Sequence, residues 1–131
     1  MDATVTPFLM FEGDAEEAVS LYVSLVPNSR IEHIERYGPE GPGRDGTAMR
    51  LDFTLAGVKC RATDSYVSHK FGFTPSLSLF VDLPDEAAFE EVYTALSYLG
   101  RVLMSPAAYP FARRFAWFDD RFGVSWQLSV A

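Results

Sequence analysis

Two stretches of this chain spell the same succession of patterns, offset by roughly 66–71 residues: a short apolar strand, an amphipathic helix, then about three strands. Duplication of a βαβββ unit limits the possible folds more than any other feature. Each helix must bury one face of its own sheet, which leaves the opposite face open. In the first copy, residues 6–12 form an apolar run stopped by Gly13, and Asp14 stands three residues ahead of Glu17, a helix-starting arrangement. Ala15, Ala18, Val19, Tyr22, Leu25 and Val26 then share a helical face, and Pro27-Asn28 closes the helix because proline lacks the amide a further turn needs. Residues 30–37 read as a mostly solvated strand, and residues 38–46, rich in Gly and Pro, as a loop. Met49, Leu51, Phe53 and Leu55 alternate with Arg50, Asp52 and Thr54. After the turn Ala56-Gly57, Val58, Cys60 and Ala62 alternate with Lys59, Arg61 and Thr63, which makes a hairpin with one apolar and one polar face.

The second copy opens with a strand over residues 76–81. Pro84 suits the first position of a helix, Asp85 and Glu86 lie near its positive end, and Phe89, Val92, Leu96 and Leu99 share a face up to a capping Gly100. Residues 101–110 look looser; residues 113–118, a turn over 119–123 and a last strand follow. In that strand Val124, Trp126, Leu128 and Val130 oppose Ser125, Gln127 and Ser129. The fold expected is α+β: two βαβββ modules, about residues 5–65 and about 75–130, within a single domain spanning 1–131, forming a curved mixed sheet with a central groove. The alternation lines that groove with Arg50, Asp52, Thr54, Arg61 and Thr63 from one copy, and with Ser76, Ser78, Phe80, Ser125 and Gln127 from the other. An ordinary solvent-facing sheet has the same pattern. Four strands sending polar residues to one face favour the ligand-sized groove.

Composition narrows the functions. Asp+Glu number 18 against 11 Lys+Arg, and the net charge of −7 repels phosphate backbones and anionic lipid heads, so neither nucleic acid nor membrane is an expected partner. The single Cys60 cannot form an internal bridge, and a hydrophobic content of 48% supports a core without one. There is no secretory leader pattern and no apolar run of about 18 residues, so a soluble cytoplasmic protein is expected.

Few residues carry chemistry. Asp52, beside Arg50 and with Arg61 across the hairpin, is the candidate proton acceptor of an arginine-ringed site for an anionic or carbonyl-bearing small molecule; a cross-strand charge pair explains the same residues without a ligand. Ser76, Ser78 and Gln127 offer neutral hydrogen bonds. Trp117, with Phe71, Phe73, Phe80, Tyr109, Phe111 and Phe115, either walls a pocket for a flat ligand or belongs to a core or dimer interface. Cys60 is expected to be buried and inert, and His33 and His69 solvated. Asp119-Asp120-Arg121 reads as a turn of solvated charge.

The run Thr6-Pro7-Phe8-Leu9-Met10-Phe11, followed by Ala15-Glu16-Glu17-Ala18 and Tyr22, resembles the opening of the PhnB-like family of the vicinal oxygen chelate superfamily, which also holds glyoxalase I and bleomycin-resistance proteins. Pro27-Asn28-Ser29-Arg30-Ile31, Gly41-Pro42-Gly43, Phe53-Thr54-Leu55-Ala56-Gly57, Lys70-Phe71 and the closing Asp120-Arg121-Phe122-Gly123-Val124-Ser125-Trp126-Gln127 continue the likeness over nearly the whole chain. It implies the glyoxalase/bleomycin resistance fold and a homodimer, and the recurrence of Asp119-Asp120-Arg121 in the family implies that this turn holds Gly123 and so positions Gln127. The family often carries the label 3-demethylubiquinone-9 3-methyltransferase. An S-adenosylmethionine site of the usual α/β kind needs a glycine-rich turn between a strand and a helix, whereas Gly41-Pro42-Gly43 sits between two strands. Metalloenzymes of the superfamily hold one divalent metal through His and Glu on four strands. By motif those positions fall on Pro7, Ser76, Gln127 and near Arg61, none of them a histidine or carboxylate, so neither a metal nor another cofactor is expected. Two functions follow. One is a PhnB-like protein that binds, and as an enzyme would transform, an unidentified small polar metabolite without a metal. The other is non-catalytic sequestration of a drug or metabolite in a dimer groove, as in bleomycin-resistance proteins.

Overall fold

The structure, a computed structural model, describes residues 2–131. The chain divides into two compact units, the first ending at His69 and the second running Lys70–Ala131. In the first, β1 (Phe8–Phe11), α1 (Ala15–Leu25), β2 (Arg30–Arg36), β3 (Ala48–Leu55) and β4 (Val58–Asp64) give a four-stranded sheet of order β1-β4-β3-β2. The β1/β4 pair is parallel and the others antiparallel. The second unit repeats the plan with β5 (Ser78–Asp82), α2 (Glu86–Ser97), β6 (Arg101–Tyr109), β7 (Ala112–Asp119) and β8 (Ser125–Val130), ordered β5-β8-β7-β6. Here β5/β8 is the parallel pair. Two mixed sheets, each with one helix, make the α+β architecture that the duplicated pattern predicts. Among the described residues no helix is long and apolar enough to cross a membrane.

Each helix covers one face of its own sheet. α1 buries Ala15, Ala18, Val19 and Tyr22, and the sheet beneath buries Leu51, Phe53, Leu55, Cys60 and Ala62. In the second unit Tyr93 of α2 meets Phe118 edge-on at 5.4 Å, and the Arg114 guanidinium lies over the Phe89 ring. Phe118 and Arg114 therefore face the helix. Their register partners Trp126 and Val130, with Leu128 between them, turn the same way and are buried. Ser125 and Gln127 point to the far side, the phase expected from the alternation. The β3–β4 hairpin closes through Ala56 and Gly57 with φ of 48° and 86°, the pair of positive φ values a two-residue turn requires.

Local detail departs from the sequence pattern where distant residues take part. The Asp14 side chain makes no capping bond at α1. The buried Asp64, at the end of β4, does that work: Oδ1 accepts the amides of Gly13 at 2.8 Å and Ala15 at 3.0 Å, and Oδ2 accepts that of Ala48 at 2.8 Å. Pro84 lies outside α2, where Asp85 is the cap and accepts the Ala88 amide at 2.8 Å. The left-handed residue after α2 is Leu99 (φ 59°), not Gly100. Gly100 is needed for another reason: a Cβ there would collide with the Asp119 carbonyl oxygen. Residues 101–109, which look loose in sequence, form β6. This is an edge strand whose pairing with β7 shifts register three times, so no period of two survives in its side chains.

Candidate functional site

On the far face of the first sheet, rows of side chains run across the strands. Arg30, Thr54 and Lys59 are register neighbours in one row; His33, Asp52, Arg61 and Phe8 form the next. Asp52 is the hub. Its Oδ1 accepts Arg61 Nε at 2.7 Å and its Oδ2 accepts Arg50 Nε at 3.1 Å, so one carboxylate bridges two guanidiniums. Glu32, set at a bulge of β2, accepts Arg30 Nε at 2.7 Å and the Thr54 hydroxyl at 2.9 Å. These groups border a concavity of about 640 Å³ whose lining includes Thr6, Asn28, Arg30, Glu32, Asp52, Lys59 and Arg61.

Partial burial on its own would raise the Asp52 carboxyl, but the hydrogen bonds from Arg61 and Arg50, with their charges, outweigh it and hold the pKa below the usual carboxylate range. Glu32 is lowered as well, first by the Thr54 hydrogen bond, against an opposing desolvation, with Arg30 and Lys59 adding to the lowering. The depressed Asp52 pKa fixes the sign of a pH effect. Its contribution to stability is complete above the unfolded value of about 4 and disappears as pH falls through the lower folded value. Asp52→Asn is thus expected to melt below the wild type at pH 7, with the gap closing in acid below about pH 4. A gap that stays constant from pH 7 to pH 3 would show that the arginine pairing adds nothing.

The far face of the second sheet is hydroxyl-bearing and aromatic at its centre, with charged residues at its ends. Its rows are Ser78, Ser125, Asp119 and Arg101; then Phe80, Gln127, Trp117 and Met104; then Asp82, Ser129, Phe115 and Ala107. Ser125 Oγ takes the Trp117 indole N–H at 2.9 Å and shares a 2.8 Å hydrogen bond with Ser78 Oγ, so Ser78 and Trp117 meet on one buried hydroxyl. Gln127 is half-buried between Phe80 and Trp117, and its amide has no hydrogen-bond partner among the described residues. Phe115 is buried beneath Phe80, Tyr109 and Phe111, with ring centroids 6.3, 5.7 and 4.9 Å away. Ser76 stands apart from these rows: it precedes β5, is exposed, and its Oγ lies 2.7 Å from Thr74 Oγ1.

Asp120, expected to be solvated, is buried. It accepts the amides of Phe122 (2.8 Å) and Val124 (3.0 Å) and the Trp126 indole (3.0 Å), which locks the turn ahead of β8 as the reading of that turn requires. Cys60 is buried on the helix side, and burial pushes its thiol up, the inert state expected. His33 pairs with Glu35 at 3.1 Å, and His69 Nε2 lies 2.9 Å from Ser65 Oγ. Arg30, Glu32 and Lys59 belong to the concavity but are absent from the groove lining drawn from sequence. The signal was present in the i, i+2 spacing of Arg30 and Glu32, and only the β2/β3 register turns it into a neighbour of Asp52.

The family model for 3-demethylubiquinone-9 3-methyltransferase matches residues 3–129. The chain belongs to this family. The PhnB protein of Bacillus cereus, which bears the same methyltransferase name, is 46% identical, with 98% of this chain and 100% of that one covered and a TM-score of 0.95. Protein PA1353 from Pseudomonas aeruginosa is 23% identical over 98% of both chains, with a TM-score of 0.82. The fosfomycin resistance protein FosX from Listeria monocytogenes shares the fold at 9% identity and a TM-score of 0.64, covering 100% of this chain and 94% of that one. No curated protein matches. The chain is thus a PhnB-like member of the vicinal oxygen chelate superfamily with the glyoxalase/bleomycin resistance fold.

The residues of this family member do not fit the metal that the superfamily implies. Pro7 has no side-chain donor, and its carbonyl accepts the Arg61 amide at 2.9 Å. Arg61 is a permanent cation held by Asp52, Gln127 is neutral, and Ser76 bonds Thr74. Among the described residues no three or more His, Cys, Asp or Glu are grouped to hold a metal ion. Gly41-Pro42-Gly43 lies between β2 and β3, so it is not the strand–glycine turn–helix of a methyl-donor site of the usual α/β kind.

Proposed function

We propose that this chain is a small-molecule-binding protein of the vicinal oxygen chelate type that works without a metal, as one domain, as a homodimer and in the cytoplasm. A small polar metabolite is held on the far face of the first sheet by Arg50, Asp52 and Arg61; the far face of the second sheet, taken by itself, offers Ser78, Trp117 and Gln127 as a binding surface, and Ser76 is peripheral to it. The observation that carries this reading is the Asp52 carboxylate bridging two guanidiniums beside a concavity of about 640 Å³, within the roughly 300–1,000 Å³ typical of small-ligand pockets. Exposed ion pairs contribute only about 0–1 kcal/mol each, so stability is a weak reason to group these charges. A carboxylate held below its usual pKa is a poor proton acceptor at neutral pH. Asp52 therefore acts by positioning the arginines, and binding is better supported than proton abstraction.

The test is a two-dimensional amide NMR titration with neutral and anionic polar metabolites: polyols, sugars, hydroxy acids and oxo acids. Saturable shifts are expected in residues 28–32 and 50–61. Shifts in neither segment with any probe would remove the proposal. One observation favours the sequestering alternative: Phe80 and Phe111 are 54% and 64% exposed over buried Phe115, an aromatic surface suited to a flat cationic ligand. In that case a flat aromatic cation moves the resonances of residues 80 and 109–117 instead.

A further inference from the structure

We infer that the Asp52-bridged pair Arg50 and Arg61 is an oxyanion clamp, so that the molecule bound in the first unit carries a carboxylate or phosphoryl group and this fixed positive charge stands in for a metal ion. The inference rests on the proposed binding function and narrows it to one ligand chemistry. Three observations support it. The first is donor accounting. A guanidinium has five N–H groups in a planar fork, and Asp52 uses only the Nε–H of each arginine. The Nη groups of Arg50 and Arg61 make no hydrogen bond among the described residues, which leaves two forks with the geometry that pairs bidentately with carboxylate or phosphate oxygens.

The second is local charge. Within a chain of net charge −7, the concavity sets three cations (Arg30, Lys59 and Arg61) against two carboxylates (Glu32 and Asp52), and Arg50 adds a fourth cation at its border. Glu35, the register partner of Arg50 and 3.1 Å from His33 Nε2, adds a third carboxylate beside them, so the four cations keep an excess of one. The third is the mismatch with the superfamily's metal. The position that the family resemblance implies for a metal ligand falls near Arg61, a permanent cation, and the Asp52 carboxylate bonded to it is already occupied by two arginines. A divalent cation brought to this place meets repulsion, whereas an oxyanion meets oriented donors.

The experiment titrates chelator-dialysed protein with inorganic phosphate and, separately, with malonate. Binding is followed by backbone amide and arginine Nε resonances at constant ionic strength set with sodium chloride. Saturable shifts centred on Arg50, Asp52 and Arg61 are expected with at least one anion, and the tighter of the two identifies the oxyanion's source. Arg61→Gln is expected to weaken that binding by about tenfold or more, the usual size of a lost charged hydrogen bond. Arg61→Lys should fall between the two, since it keeps the charge and loses the fork. Both side chains are substantially exposed, so the fold should persist, and a melting curve for each variant confirms it. Arg50→Gln is a second route to the same loss. No saturable shift with either anion, wild-type affinity retained in both glutamine variants, or binding that appears only after a divalent metal is added would each overturn the clamp. Neutral polyols or sugars moving the same residues while both anions fail would sink the clamp and leave the broader binding function standing. Silence from every probe would remove both.

Discussion

Asp64→Ala is expected to be the most damaging single change in the first unit, at about 3–5 kcal/mol and a fall in melting temperature of roughly 10 °C or more. Asp64 is 2% exposed and accepts three backbone amides, those of Gly13, Ala15 and Ala48. Alanine leaves three donors without an acceptor, each costing about 1–3 kcal/mol if water cannot reach it. It also removes a negative charge from the positive end of α1. The damage spreads because the three amides belong to different segments: the turn after β1, the start of α1 and the start of β3. Asp64→Asn keeps one carbonyl oxygen but presents an NH₂ group to donors, so it should fall between wild type and alanine. Urea or thermal unfolding measures all three proteins. An alanine variant melting within about 2 °C of wild type would show that these amides find other partners.

The second large effect is expected at Asp120→Ala, about 2–4 kcal/mol, with changed near-ultraviolet circular dichroism. This carboxylate closes the turn through the Phe122 and Val124 amides and holds the indole N–H of Trp126, whose ring is 0% exposed. Losing it frees the turn that sets the β8 register and removes the acceptor 3.0 Å from a buried indole donor. Asp119→Ala is the matched control. Its Oδ2 pairs with an Arg101 side chain that is 64% exposed, and its buried Oδ1 has no hydrogen-bond partner among the described residues. Its loss should therefore cost no more than about 1 kcal/mol. Equal effects at the two neighbours would contradict the division of labour between them.

Periodicity carried most of the architecture. The β3, β4 and β8 side chains alternate cleanly because one face of each strand packs under a helix, and that constraint is written into every second residue. β6 escaped because its register shifts break the same period. Asp64 and Asp120 were harder to read for a different reason. An acidic residue near a turn suggests solvent; the amides that surround Asp120 are two and four residues on, but their burial with it depends on the packing of Trp126. For Asp64 the capped amides lie up to 51 residues away.

The candidate site divides along the same line. Sequence alone determined the duplicated βαβββ order, the helix-facing and far faces of the hairpin and last strand, and the Arg50–Asp52–Arg61 grouping, because these follow from residue type, local alternation and a two-residue turn; the lack of His or Glu at the expected metal positions follows from the family resemblance. Tertiary structure decided that Asp52 bridges both arginines, that Arg30, Glu32 and Lys59 join them around one concavity, that Ser78 and Trp117 meet on Ser125, and that Ser76 stays outside. Those facts depend on which strands pair and in what register, and pairing is fixed by burial of the whole apolar face, a sum over many residues that no local pattern contains.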